Sequence, residues 1–75
     1  MNREEFLELL DQHKIDRNLV SFDSFIAEGH CLRKNGFRWE TLVRERDMEY
    51  HVMGFPSESN ALESLLSELI KYYGS

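Results

Sequence analysis

The dipeptide Asn35-Gly36 constrains the fold more than any other feature, because it interrupts a segment in which apolar and polar residues alternate. Such alternation is typical of a β-strand buried on one side. Both central residues of a type I′ hairpin turn need positive φ, which asparagine and glycine tolerate best. A two-residue turn at this point predicts a hairpin in which Leu32 pairs with Trp39.

A second turn, at Arg46-Asp47, adds a third strand. It pairs Glu45 with Met48 and continues the alternation of faces along residues 48–53. This turn contains no glycine, so its register rests mainly on the apolar pattern of the two strands. The expected sheet is a three-stranded antiparallel meander.

The two turns sort the strand residues onto two faces. The face that we expect the helices to cover holds Leu32, Phe37, Trp39, Thr41, Val43, Met48, Tyr50 and Val52, with His30, Lys34 and Glu45 at the strand ends. The opposite side of the sheet, called the open face from here on, holds Cys31, Arg33, Arg38, Glu40, Leu42, Arg44, Glu49, His51 and Met53. One apolar and one polar face are typical of an antiparallel sheet packed on one side.

Helices are predicted on either side of these strands. Asn2 and Glu5 form an N-x-x-E capping box, and the apolar stripe that follows predicts a helix over residues 3–13. Ser57 is a suitable N-cap for a second helix, which Gly74 ends. The apolar stripe of that helix consists of Ala61, Leu62, Leu65, Leu66, Leu69, Ile70 and Tyr73.

Residues 15–27 have no clean period but are too apolar for a free loop. We expect a packed connection there, with a short strand near residues 20–23. A chain of 75 residues has room for one core only. The predicted fold is therefore a single α+β domain, residues 1–75, with two layers: an N-terminal helix, the three-stranded antiparallel meander and a C-terminal helix, both helices on one face of the sheet.

Composition narrows the class of partner. The balance of 9 basic against 14 acidic residues gives a net charge of −5, whereas nucleic-acid binders carry a basic patch. The single cysteine, Cys31, leaves no internal disulfide and suits a reducing compartment. No apolar run approaches membrane-spanning length, and the N-terminus lacks the positive charge of a signal peptide. We expect a cytoplasmic protein that binds neither nucleic acid nor membrane and carries no cofactor.

No pattern of catalytic or metal-binding residues stands out. Cys31 and His30 are adjacent, so their side chains point to opposite faces of a strand, and His51 lies two strands away from Cys31. These residues and His13 lack the close spacings of zinc ligands. Pairs of carboxylates are expected by chance in so acidic a chain. We therefore expect a protein that is not an enzyme.

The open face is the candidate working surface. In the predicted register Arg33 opposes Arg38, a like-charge pair that a purely structural surface would avoid. Arginine and methionine are also enriched at protein interfaces. The predicted partner-binding residues are Arg33, Arg38, Glu40, Leu42, Arg44, Glu49, His51 and Met53. A solvated face with cross-strand ion pairs is the alternative interpretation.

Several stretches resemble small immunity proteins of bacterial polymorphic toxin systems: "VSFDS", "EGHCL", a tryptophan followed by "ER", and "FPSESNALESLL" at the start of the last helix. In that family an E-x-x-C/A-L strand, a W-x-x-x-x-x-E-R-G-like hairpin and an F-x-(S/T)-E-x-x-A helix start recur. The matching positions are Glu28, Cys31, Leu32, Trp39, Glu45, Arg46, Phe55, Ser57, Glu58 and Ala61. Asp47 stands where the family has a glycine in the second turn.

The resemblance implies a stoichiometric inhibitor that binds and blocks a cognate toxin domain. If that domain is basic, the acidic residues Glu4, Glu8 and Asp11 of the first helix would speed its capture by electrostatic steering. A second hypothesis is a small assembly or regulatory module that self-associates through the open face. A homodimer formed through the last helix, with Tyr72, or through the edge of a strand also stays open.

Overall fold

The computed structural model describes residues 1–22 and 29–74. In this part of the chain the elements are α1 (Arg3–Gln12), a short 3-10 helix (Arg17–Leu19), β1 (Val20–Phe22), β2 (Gly29–Asn35), β3 (Arg38–Glu45), β4 (Met48–Phe55) and α2 (Glu58–Tyr73). The predicted α+β class, with a helix at each end of the strands, is confirmed.

The sheet is mixed and has four strands in the order β1-β2-β3-β4. β2, β3 and β4 form the predicted antiparallel meander, but β1 pairs in parallel with β2, with Val20 opposite His30. The prediction of a three-stranded antiparallel sheet is therefore wrong in strand number and topology. A three-residue strand shows too little alternation for its pairing to be read from the sequence. Residues 23–28, which include part of the predicted connection and Glu28, lie outside the described residues.

Both helices begin where the caps predict. The side chain of Asn2 accepts a hydrogen bond from the backbone N–H of Glu5 at 2.8 Å, and α1 ends at Gln12, one residue earlier than expected. Ser57 caps α2, and Gly74 is its C-cap. Neither of these helices is long and apolar enough to cross a membrane.

One hydrophobic core lies between the helices and the sheet. Leu32 of β2 is buried among side chains of both α1 and α2, so the two helices cover the same face, as predicted. Trp39 and Phe55, which are paired across β3 and β4, pack against the edge of this core. The buried core residues are Phe6, Leu10, Ile15, Val20, Leu32, Ala61, Leu62, Leu65, Leu66 and Leu69.

The first hairpin turn lies one residue later than predicted. Its two residues are Gly36 and Phe37, and Asn35 pairs with Arg38 at the end of the strands. Only Gly36 needs positive φ, 65°, because it occupies the first turn position, as in a type II′ turn. Each β2 residue therefore pairs with a β3 residue two positions later than predicted. Because faces alternate with a period of two, the predicted faces of the β2 and β3 residues are unchanged. The predicted place of Phe37 in the core is wrong, because Phe37 is now in the turn.

The second turn lies where it was predicted, but β4 then contains a β-bulge. Thr41 pairs with Met53 instead of Val52, and two residues of β4, His51 and Val52, stand opposite Leu42. His51 has a φ of 55°, a left-handed conformation that costs a residue with a side chain roughly 1–2 kcal/mol. Since faces alternate along a strand, Met53, which follows the bulge, lies on the face opposite to the one predicted.

Candidate protein-binding surfaces

Four of the predicted site residues form one ion-pair network on the open face. Arg33 of β2 contacts Glu40 of β3 at 2.8 Å and Glu49 of β4 at 2.8 Å. Arg44 of β3 contacts the same carboxylate of Glu49, also at 2.8 Å. The predicted opposition of Arg33 to Arg38 is wrong, because the observed register places Glu40 opposite Arg33. The network links β2, β3 and β4 across the face.

These contacts hold the two carboxylates in their ionised form. Hydrogen bonds from Arg33 lower the pKa of Glu40, and hydrogen bonds from Arg33 and Arg44 lower the pKa of Glu49. Since both pKa values are depressed on folding, the ion pairs contribute stability above the ordinary glutamate value of 4.5. That contribution is lost as the pH falls through the folded pKa values.

Leu42 lies on the open face, as predicted, but it is not exposed. Leu42 and Cys31 stand opposite each other on β3 and β2, and each is only 3% accessible. They lie in the same region as Arg33, Arg44 and Glu49, apart from the main core on the helix side. The prediction of Leu42 as an exposed partner contact is therefore wrong. Burial also raises the pKa of the Cys31 thiol, which disfavours the thiolate form.

Arg38 extends sideways from β3 toward the sheet edge. A Cβ atom at Gly54 of β4 would lie 3.0 Å from a terminal guanidinium nitrogen of Arg38, so this side chain lies directly over the glycine. Within residues 1–22 and 29–74, no carboxylate is within salt-bridge distance of Arg38. Arg38 is thus a cation that reaches the exposed side of β4.

His51 and Met53 do not lie on the open face. Because of the bulge, Met53 shares the covered side of the sheet with Thr41. His51 and Met53 both line a shallow depression of about 410 Å³ against α2. The other residues that line it are Ser64, Ser67, Glu68, Lys71 and Tyr72. The predicted open-face positions of His51 and Met53 are wrong, because the two residues at the bulge, His51 and Val52, include no glycine or proline that would signal it.

β4 is the outermost strand next to β3, and its residues from Met48 to Gly54 are all exposed. Four large apolar side chains lie along it, Met48, Tyr50, Val52 and Met53. The prediction that Met48, Tyr50 and Val52 lie on the covered face of the sheet, against the core, is wrong as to their burial, because the helices do not extend over them. How far the helices extend over the sheet depends on how α2 packs and cannot be read from the strand pattern.

Phe37 forms the tip of the β2–β3 hairpin and is 99% accessible. The ammonium group of Lys34, just before the turn, lies 5.7 Å from the centre of the Trp39 ring on the covered side. We call Lys34, Gly36 and Phe37 the hairpin tip. Sequence analysis missed Phe37 as a surface residue, because the register that buries it and the register that exposes it differ by one turn position.

His30 is the buried titratable group on the covered face. Its ring meets the ring of Tyr73 edge-on at 6.0 Å. Burial lowers the pKa of His30 below its ordinary value of 6.5, and the nearby carboxylate of Glu68 opposes this effect. The imidazole is therefore neutral in the folded protein at neutral pH.

This lowered pKa predicts a loss of stability in mild acid. As the pH falls below about 6.5, the unfolded chain takes up the proton of His30 before the folded protein does. The free energy of unfolding should decrease between about pH 7 and about pH 5, above the range in which Glu40 and Glu49 titrate. Urea unfolding across this range should show a shallower decrease for His30→Gln. An unchanged slope would contradict the assignment, and His13→Gln at the end of α1 serves as the control.

Among the described side chains, no group of three histidine, cysteine, aspartate or glutamate residues is placed to hold a metal ion. No family model, curated protein or solved structure matches the chain. The surfaces themselves are therefore the basis on which a function is proposed.

Proposed function

We propose that the chain is a non-enzymatic binding protein that neutralises a cognate toxin domain, and that the toxin docks on the hairpin tip and the adjoining open face. The observation that carries the proposal is the full exposure of Phe37. The resemblance of the sequence to immunity proteins supplies the class of partner.

Phe37 contributes nothing to the core, although a turn at Asn35-Gly36 would have placed it on the covered face of the sheet. Aromatic residues at the centre of an interface supply much of the binding energy, because a large apolar surface leaves water on contact. A turn of two residues fixes the backbone at Phe37 and presents the ring to solvent. These properties suit an anchor that enters a pocket of the partner.

The open face beside the tip offers charges that are already positioned. Arg33 and Arg44 are held by Glu40 and Glu49, so a partner does not have to order these long side chains. Partly exposed charges of this kind affect the rate of association more than the final affinity. The network is therefore proposed as the rim of the interface, with Phe37 as its anchor.

The acidic face of α1 supports long-range attraction of a basic toxin. Glu4 and Glu8 are exposed, as this role requires. Asp11 is exposed too, but its carboxylate contacts Arg17 at 2.6 Å, which reduces its effect at a distance. Steering by α1 should therefore depend mainly on Glu4 and Glu8 and should weaken with added salt.

The test is co-expression with the product of the gene next to that of this chain, which the proposal expects to carry the toxin domain. We expect the chain to restore growth and to bind the purified domain. Phe37→Ser should weaken binding at least about 30-fold, the effect of an anchor worth about 2 kcal/mol, and should abolish protection at low expression. Binding is measured by titration calorimetry, and folding of the variant by circular dichroism.

Tyr72→Ser is the matched control, since Tyr72 is also an exposed aromatic residue but lies on α2. It should retain binding and protection. If the chain neither binds nor protects against the toxin domain, the neutralising function is wrong. If it protects and Phe37→Ser protects equally well, the function stands but the docking surface lies elsewhere.

A further inference from the structure

We infer that β4 pairs antiparallel with β4 of a second copy of this chain, so that the two four-stranded sheets become continuous. An exposed edge strand presents unpaired backbone N–H and C=O groups, and proteins protect such edges with charged residues such as lysine, with proline or with a β-bulge. β4 contains a bulge but neither lysine nor proline, and its one charged residue, Glu49, is held by Arg33 and Arg44. Its other exposed side chains are those of Met48, Tyr50, His51, Val52 and Met53.

The bulge makes β4 symmetric in the faces that its residues occupy. Before the bulge, Met48 and Tyr50 share the covered face and Glu49 lies on the open face. After the bulge, Met53 and Phe55 share the covered face and Gly54 lies on the open face, opposite Glu40. Read from either end, the strand is covered, open, covered. A twofold axis between His51 and Val52 therefore pairs residues that lie on the same face.

A strand without the bulge could not pair in this way. Around that axis Tyr50 pairs with Met53 of the second copy, Met48 with Phe55, and Glu49 with Gly54. In a regular strand, the two residues of each pair would lie on opposite faces of the sheet. Because both copies carry the same extra residue at the axis, the pairing keeps the same register on both sides of the axis. The bulge thus selects this register among the possible ones.

Charge complementarity favours a second copy as the occupant. Pairing of Glu49 with Gly54 places Glu49, whose carboxylate Arg33 and Arg44 also contact, beside Arg38 of the second copy, whose guanidinium lies over that glycine. The twofold axis creates this contact twice. Although the chain carries a net charge of −5, no like charges on β4 meet in this arrangement. The contact does not involve the hairpin tip, although Glu49 also belongs to the ion-pair network.

Sedimentation equilibrium on the purified chain tests the inference over a range of concentrations. We expect a reversible transition from the 8.9 kDa chain to a particle of twice that mass. Hydrogen exchange should show protection of β4 amides that rises with concentration. A chain that remains monomeric up to the millimolar range would overturn the inference.

Two variants locate the interface. Val52→Lys places two ammonium groups near the axis at a position already 46% accessible, and Arg38→Glu places carboxylates near Glu49 of the second copy. Each should raise the dimer dissociation constant at least about 10-fold while the monomer stays folded. Phe37→Ser is the control and should leave dimerisation unchanged. A dimer that both charged variants leave intact would show that the interface is not β4.

Discussion

Leu42→Asp is expected to unfold the domain. Leu42 is 3% accessible although it lies on the polar face of the sheet, so the new carboxylate would lose its hydration beside Cys31. Loss of the buried side chain together with burial of a charge costs at least about 3 kcal/mol. A domain of this size has a net stability of only about 3–5 kcal/mol.

Urea denaturation followed by the fluorescence of Trp39, the single tryptophan, measures this effect. Val52→Asp is the matched control, because Val52 stands opposite Leu42 across the bulge but is 46% accessible. We expect the control to change the free energy of unfolding of the monomer by less than about 1 kcal/mol. A Leu42→Asp protein as stable as the control would mean that solvent reaches this position and that the face is a plain surface.

Phe6→Ala is expected to cost about 3–5 kcal/mol, and more than Trp39→Ala. Phe6 is fully buried and contacts the ring of Phe22 edge-on at 6.0 Å, so its removal opens a cavity between α1 and β1. Trp39 is half-buried at the border of the core, where a truncated side chain leaves a site open to water.

Circular dichroism in urea is suited to this comparison, because Trp39→Ala removes the fluorescent reporter. Leu9→Ala, on the less buried side of α1, controls for changes in the helix itself. Phe6→Ala should shift the unfolding midpoint further than either other variant. The reverse order would place the centre of the core near Trp39 rather than between the helices.

The partner-binding residues predicted on one face lie on separate surfaces: the ion-pair network, which the hairpin tip adjoins, and the edge of β4. The ion-pair network and the hairpin tip remain the proposed docking surface for a toxin domain. His51 and Met53, which were predicted on the same face, lie instead beside α2, next to the proposed self-pairing edge. Variants at Phe37 and Val52 should therefore separate toxin binding from dimerisation.

Local chemistry determined the helices and the existence of the hairpins. The capping box at Asn2, the cap at Ser57 and the apolar stripe of α2 act within a few residues of one another, so the sequence alone predicts them. The same holds for the alternation of β2 and β3, whose faces are as predicted. Their register differed because Gly36 can serve either turn position, and pairing of Arg33 with Glu40 accompanies the alternative that exposes Phe37.

Only the tertiary structure decided what depends on contacts between distant residues. The parallel pairing of β1 with β2 follows from neither strand by itself. The bulge at His51 has no local signal, because it depends on the register in which β4 pairs with β3. The alternation of residues along β3 places Leu42 on the polar face of the sheet, but neighbouring side chains bury it. Periodicity states which side a residue faces, whereas exposure depends on what the rest of the chain places there.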